Sequence, residues 1–174
     1  MSGTLYSVTL TNADNTISGA GHLGGGVMVL VNEGTIIATG TNALDIDTGT
    51  NAVTNTGTLE ATGTGGPVIH NDVVNKVLVS GDGIPTSAGL LWANGRNITI
   101  DGNVSGNGTA QISGSATLEF GAASTAKVVI DAQATGTIVL HDFKGVVSGF
   151  NGDDHLDLLD VTFGAGTTAS YVAN

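Results

Sequence analysis

Three groups of side chains in this sequence have the type and spacing to do chemistry. The first is the pair in Asp45-Ile46-Asp47, with His70, beside the inserted stretch, as a separate candidate. In an extended strand, residues two apart share a face, so Asp45 and Asp47 stand side by side. Such a pair can share a proton or flank a glycosidic bond. The same pair can equally be two solvated acids on an outer face. The second group is Asp153, Asp154, Asp157 and Asp160, set around a glycine turn. Carboxylates at this spacing suit Ca²⁺, which takes several oxygen ligands; the alternative is a solvated turn followed by a strand with outward acids. The third is Trp92, the only tryptophan. An indole can stack on a sugar ring or cap a core under a loop.

Other constellations are less complete. Ser80 and Ser87 share one stretch with His70, Asp72 and Asp82. A nucleophile triad could draw on them, but no G-x-S-x-G elbow accompanies them. His22, His141 and His155 form no H-E-x-x-H or H-x-H spacing, and cysteine is absent, so no zinc site is indicated.

What positions these groups is a set of short strands. Asn97-Ile98-Thr99-Ile100-Asp101 and Ala116-Thr117-Leu118-Glu119-Phe120 alternate apolar with polar residues. That period places one set inside and the other outside. Thr11 to Asn15, Gly24 to Gly26, Gly65-Gly66-Pro67 and Ser105 to Gly108 are turn clusters between strands. No stretch of helical period stands out.

The strands repeat. Asn32 to Thr41 reads N-E-G-T-I-I-A-T-G-T, and Asn55 to Thr64 reads N-T-G-T-L-E-A-T-G-T, 23 residues later. Gly89 to Gly95 and Gly108 to Gly114 are fainter copies. A repeat of this length predicts a solenoid coil, since one coil cannot bury its own inner face but a stack can. The fold predicted is therefore all-β, a parallel β-solenoid (right-handed β-helix or β-roll), with a β-sandwich as the alternative. Residues 1–140 read as coils with an insertion near 69–88. Residues 141–174 read as a C-terminal β segment of the same domain, carrying the acidic Gly-Asp turn. Loops projecting from a rigid stack are where function concentrates.

Composition agrees. Of 174 residues, 40% are hydrophobic but only 4% aromatic, which suits thin stacked layers better than a thick globular core. Glycine, at 28, is about twice the usual share of roughly 7% and implies many turns. Fifteen acidic residues against four basic ones give a net charge of -11. That balance argues against nucleic acid or an anionic membrane surface as partner and suits cations. No apolar run is long enough to span a bilayer. Met1-Ser2-Gly3-Thr4 has no basic or apolar leader, so no N-terminal signal peptide is expected in this chain.

Asn55 to Ala61, Ala116 to Ala122 and Val147 to Leu158 resemble the β-strand-repeat modules of large secreted bacterial adhesins and RTX-like exoproteins. The element G-F-N-G-D-D-H-L-D-L, from Gly149 to Leu158, is similar to the segment that closes RTX calcium repeats. The RTX nonapeptide itself is absent. The resemblance implies a parallel β-roll or β-helix, a secreted or cell-surface location and Ca²⁺. Two functions follow as expectations. The leading one is a structural or glycan-contacting module of a bacterial surface protein, self-associating through its solenoid ends. The other is a glycoside or ester hydrolase with its site on a lateral face, at the Asp45/Asp47 face or in the His70–Trp92 region.

Overall fold

The computed structural model describes residues 8–162 and 164–168. The chain winds as a parallel β-solenoid with three faces. The first coil is β1 (Val8–Asn12), β2 (Thr16–Gly19) and β3 (Gly21–Gly24). The second is β4 (Met28–Asn32), β5 (Thr35–Ala38) and β6 (Leu44–Asp47). The third is β7 (Val53–Asn55), β8 (Thr58–Ala61) and β9 (Pro67–Ile69). The fourth starts with β10 (Val73–Asn75), leaves the stack as the hairpin β11 (Val77–Val79) and β12 (Pro85–Ala88), and returns with β13 (Leu90–Asn94) and β14 (Ile98–Ile100). The fifth is β15 (Val104–Ser105), β16 (Thr109–Ser113) and β17 (Ser115–Phe120). Then follow β18 (Lys127–Ile130) with β19 (Thr135–Leu140), and β20 (Val146–Ser148) with β21 (His155–Leu158).

Each strand pairs in parallel with its counterpart one coil away, giving one sheet of five strands and two of seven among the described residues. The hairpin β11–β12 is antiparallel. A β-sandwich would require antiparallel pairing throughout, so that alternative is not adopted. No helix long and apolar enough to cross a membrane occurs among the described residues.

Alternation explains the packing. Ile36 and Ala38, Leu59 and Ala61, Leu91 and Ala93, and Ala110 and Ile112 point inward from successive strands of one sheet and are buried. Opposite them lie Ile46, Ile69, Ile100, Phe120 and Leu140. Each fully buried Leu or Ile contributes about 1.5–3 kcal/mol. Phe120 is the one aromatic ring among the largest fully buried side chains, consistent with a cross-section too narrow for more.

The coil is not uniformly 23 residues. That offset holds between the second and third coils, as in Thr35 with Thr58 and Leu44 with Pro67. Elsewhere it is mostly 18 to 20, as in Val53 with Val73 and Thr137 with His155. Coils two and three share a long corner, Thr39 to Ala43 and Thr62 to Gly66, where the first, fourth and fifth coils turn in fewer residues. The fainter copies at Gly89 and Gly108 are in true register, with Leu90 on Thr58 and Thr109 on Leu90. Between Thr58 and Leu90 the offset is 32, because the hairpin is inserted there. The irregular stretch is thus narrower than residues 69–88: β9 and β10 run through Ile69 to Asn75 as ordinary coil. After Leu140 the winding continues through β20 and β21.

A buried asparagine ladder runs along one corner. Asn12, Asn32, Asn55 and Asn75 end the strands β1, β4, β7 and β10. Each Nδ2 donates to the next Oδ1 at 2.8 Å, from Asn12 to Asn32, Asn32 to Asn55 and Asn55 to Asn75. Their Nδ2 groups also donate to the carbonyls of Thr35, Thr58, Leu90 and Thr109. Asn75 closes the ladder, for Gly106 follows at the next level with φ +100, where a Cβ would collide with the Asn75 carbonyl.

Candidate functional site

The strongest side-chain constellation lies on the outer side of the third sheet. Outward alternation places Asp45 on β6 beside His22 on β3. His70 and Asp101 follow directly after the paired strands β9 and β14. The four side chains form a chain across four coils. His22 Nδ1 lies 3.0 Å from Asp45 Oδ2. Asp45 Oδ1 lies 2.6 Å from His70 Nε2, and His70 Nδ1 donates to Asp101 Oδ2 at 2.7 Å. The Nε2 contact brings charges together without the alignment of a hydrogen bond. Asp45 Oδ1 is shielded from water and has no hydrogen-bond partner among the described residues.

A carboxylate lies at each ring nitrogen of His70, and both negative charges favour the charged ring. Its pKa is raised above the ordinary histidine value, chiefly by the hydrogen bond to Asp101; partial burial opposes this and Asp45 adds to it. Both ring nitrogens are thus engaged by carboxylates, and Asp45 and His70, which the sequence does not pair, meet as a clamp between coils.

Asp47 shares the outer face with Asp45, as the alternation requires. Its Oδ1 instead accepts from the Gly49 amide at 2.9 Å and closes the turn. Beside it a shallow depression of about 230 Å³ is lined by Gly49, Thr50, Asn51, His70, Asn71 and Asp72. Its polar groups serve the corner: Asn71 Oδ1 accepts from Thr48 N, Asn51 Nδ2 donates to the Met28 carbonyl, and Asp72 Oδ1 accepts from Asn103 N.

A serine triad is not assembled. Ser80 bonds Asp82 at the tip of the hairpin, and its hydroxyl holds that carboxyl below the usual range. Ser87 Oγ has no hydrogen-bond partner among the described residues, and both nitrogens of His70 face carboxylates.

The aspartates near the C-terminus go to separate places. Asp154 is 7% exposed and folds back, Oδ1 accepting from Gly136 N and Oδ2 from Asn151 N, both at 2.8 Å. Asp160 Oδ2 accepts from Asp142 N at 3.1 Å. Asp157 sits on exposed β21 opposite Val139, and Asp153 is exposed in the turn. Asp153, Asp154, Asp157 and Asp160 are thus not drawn to one point. No group of three or more His, Asp or Glu side chains able to hold a metal ion occurs among the described residues. The reason is that backbone amides left over at the turns compete for the same oxygens.

Trp92 lies on the outer side of the second sheet, between Glu60 and Gln111 in register. It does not cap the core, because Leu91 and Ala93 on either side take the inward positions. Its Nε1 donates to Ser113 Oγ at 2.8 Å. Ser113 donates onward to Asp131 Oδ2 at 2.6 Å, and Gln111 Nε2 donates to Asp131 Oδ1 at 2.9 Å. Asn94 Nδ2 donates to Glu60 Oε1 at 2.7 Å. The indole is therefore held at one orientation within a polar frame. Sequence reasoning found Trp92 but missed the frame, whose members lie 21 and 34 residues apart. The in-register copies at Gly89 and Gly108 were the one available signal.

Compared with known proteins, the chain matches no family model, no curated protein and no solved structure.

Proposed function

We propose that this chain is a rigid structural module of a secreted bacterial surface protein, and that its outer face contacts glycans. The observation that carries the glycan reading is the half-buried Trp92, fixed by Ser113 on the middle strand of a seven-stranded parallel sheet. A fixed aromatic platform loses little conformational entropy on binding, and stacking adds to the polar contacts around it. The surface-protein placement rests on the resemblance of the strand modules. The same resemblance implies Ca²⁺, for which a melt with millimolar Ca²⁺ is the test: a rise in midpoint supports it and an unchanged midpoint removes it.

Hydrolase activity is the competing reading, with Asp45 and His70 as its residues. It is disfavoured because both ring nitrogens of His70 are already engaged by carboxylates of neighbouring coils. Retention on immobilised polysaccharides, with no turnover of chromogenic glycosides and esters, is the expected result. Turnover abolished by His70→Ala or Asp45→Ala would overturn the non-catalytic reading.

A further inference from the structure

We infer that the Trp92 face binds an uncharged pyranoside glycan and rejects acidic ones. The inference rests on the glycan-contacting reading above and names its ligand class. Adjacent strands of a sheet lie about 4.8 Å apart. A ring stacked on Trp92 therefore reaches the outward residues one coil to either side, Glu60 and Gln111.

The free hydrogen-bonding capacity there is mostly accepting. Asn94 spends one of its two amide hydrogens on Glu60, and Gln111 directs its amide at Asp131 and, at 3.5 Å, at Ser113. Their carbonyl oxygens remain as acceptors. Ser113 accepts from the indole and donates to Asp131, so its hydroxyl proton is committed. The frame thus presents two carboxylates and two amide oxygens around an aromatic face. It is rich in acceptors, so it suits a ligand rich in donors, and sugar hydroxyls are such donors.

Charge narrows the class. Glu60 and Asp131 carry the only formal charges in the frame. Two cations lie nearby. Arg96 sits around the corner from β13 and donates to the Gly95 carbonyl. Lys127 is two strands away, in the row of Leu90 and Thr109. Neither belongs to the frame. The chain as a whole carries -11. A uronate, sulfate or phosphate placed on Trp92 meets carboxylates with no counter-charge, and like charges at such range disfavour binding.

Because Trp92 is the only tryptophan, its fluorescence reports this site alone. The experiment titrates the full chain at low ionic strength with a soluble β-glucan, a galactomannan and polygalacturonate. Calorimetry runs in parallel, and circular dichroism checks that each variant is folded. The expected result is a saturable emission change with a neutral glycan and none with polygalacturonate. Trp92→Ala abolishes neutral-glycan binding. The double variant Glu60→Gln/Asp131→Asn narrows the preference for neutral over acidic glycan by about fivefold or more. Equal binding of polygalacturonate overturns the inference and leaves the glycan reading intact. So does neutral-glycan binding that survives Trp92→Ala, because the site then lies elsewhere. No binding of any of the three by either method overturns both.

Discussion

His70 is the residue whose setting most directly makes a measurable property. Asp101 and Asp45 face its two ring nitrogens, and His22 shares Asp45 from the other side. Its pKa is raised in the fold from the ordinary 6.5. A raised folded pKa means that the charged ring contributes stability in full below the unfolded value, and that this is lost as pH rises through the folded one. The melting midpoint of the wild type should therefore fall across the window beginning near pH 6.5, and His70→Gln should flatten that fall. An NMR titration placing the His70 midpoint at or below 6.5 would refute the assignment. The effect is modest, because the His70 side chain is 43% exposed and solvent screens the pair. The asparagine ladder should weigh more. Asn55→Ala strips the partner from Asn32 Nδ2 and from Asn75 Oδ1, both buried. Each orphaned group costs about 1–3 kcal/mol. Asn12→Ala, at the end of the ladder, orphans fewer groups and should cost less in urea unfolding.

At the scale of elements, the hairpin is separable from the coil that carries it. Val77 pairs with Ala88 at its base, and Gly89 N donates to the Lys76 carbonyl at 2.9 Å, so the chain leaves and re-enters the stack at nearly one point. Deleting residues 77–88 would join Asn75-Lys76 to Gly89-Leu90. The junction then reads N-K-G-L, the same pattern as N-E-G-T at Asn32 and N-T-G-T at Asn55. That glycine is demanded at this corner, because a Cβ on Gly57 would collide with the Gly34 carbonyl and one on Gly89 with the Asn55 carbonyl. The deletion variant should therefore fold, with an unchanged β spectrum and a melting midpoint close to that of the wild type. Loss of cooperative melting would show that the hairpin is part of the core. The sequence marked this region as irregular but set its boundary too early. Ile69 and Val73 belong to a coil whose short corner breaks the 23-residue period without breaking the stack.

At the scale of the molecule, a solenoid is a one-dimensional stack whose ends are its weak points. Among the described residues, β20 and β21 pair on one side only, and Val146, Phe150, Leu156 and Leu159 near them are exposed. Open strand edges with apolar side chains pair between chains. The protein should therefore associate with rising concentration, and Leu156→Lys should reduce that association. A sharp monomer by light scattering at every concentration would count against contact through the ends. The net charge of -11 opposes association, so added salt should promote it.

The sequence by itself determined the all-β class, the stacked coil and the inward and outward sets, because these depend on alternation and on repeats that are local in the chain. It also named Asp45, His70 and Trp92. It did not determine what those residues touch. Asp45 meets His70 across 25 positions, and Trp92 meets Ser113 across 21, only because corners of unequal length bring the coils into one register. The C-terminal aspartates look like a metal cluster in one dimension and are separated in three, since Asp154 and Asp160 satisfy backbone amides at different turns. Local pattern fixes which side of a strand a residue occupies. Only the winding of the chain decides which residue lies one coil away, at about 4.8 Å, and that spacing is the distance at which chemistry is decided.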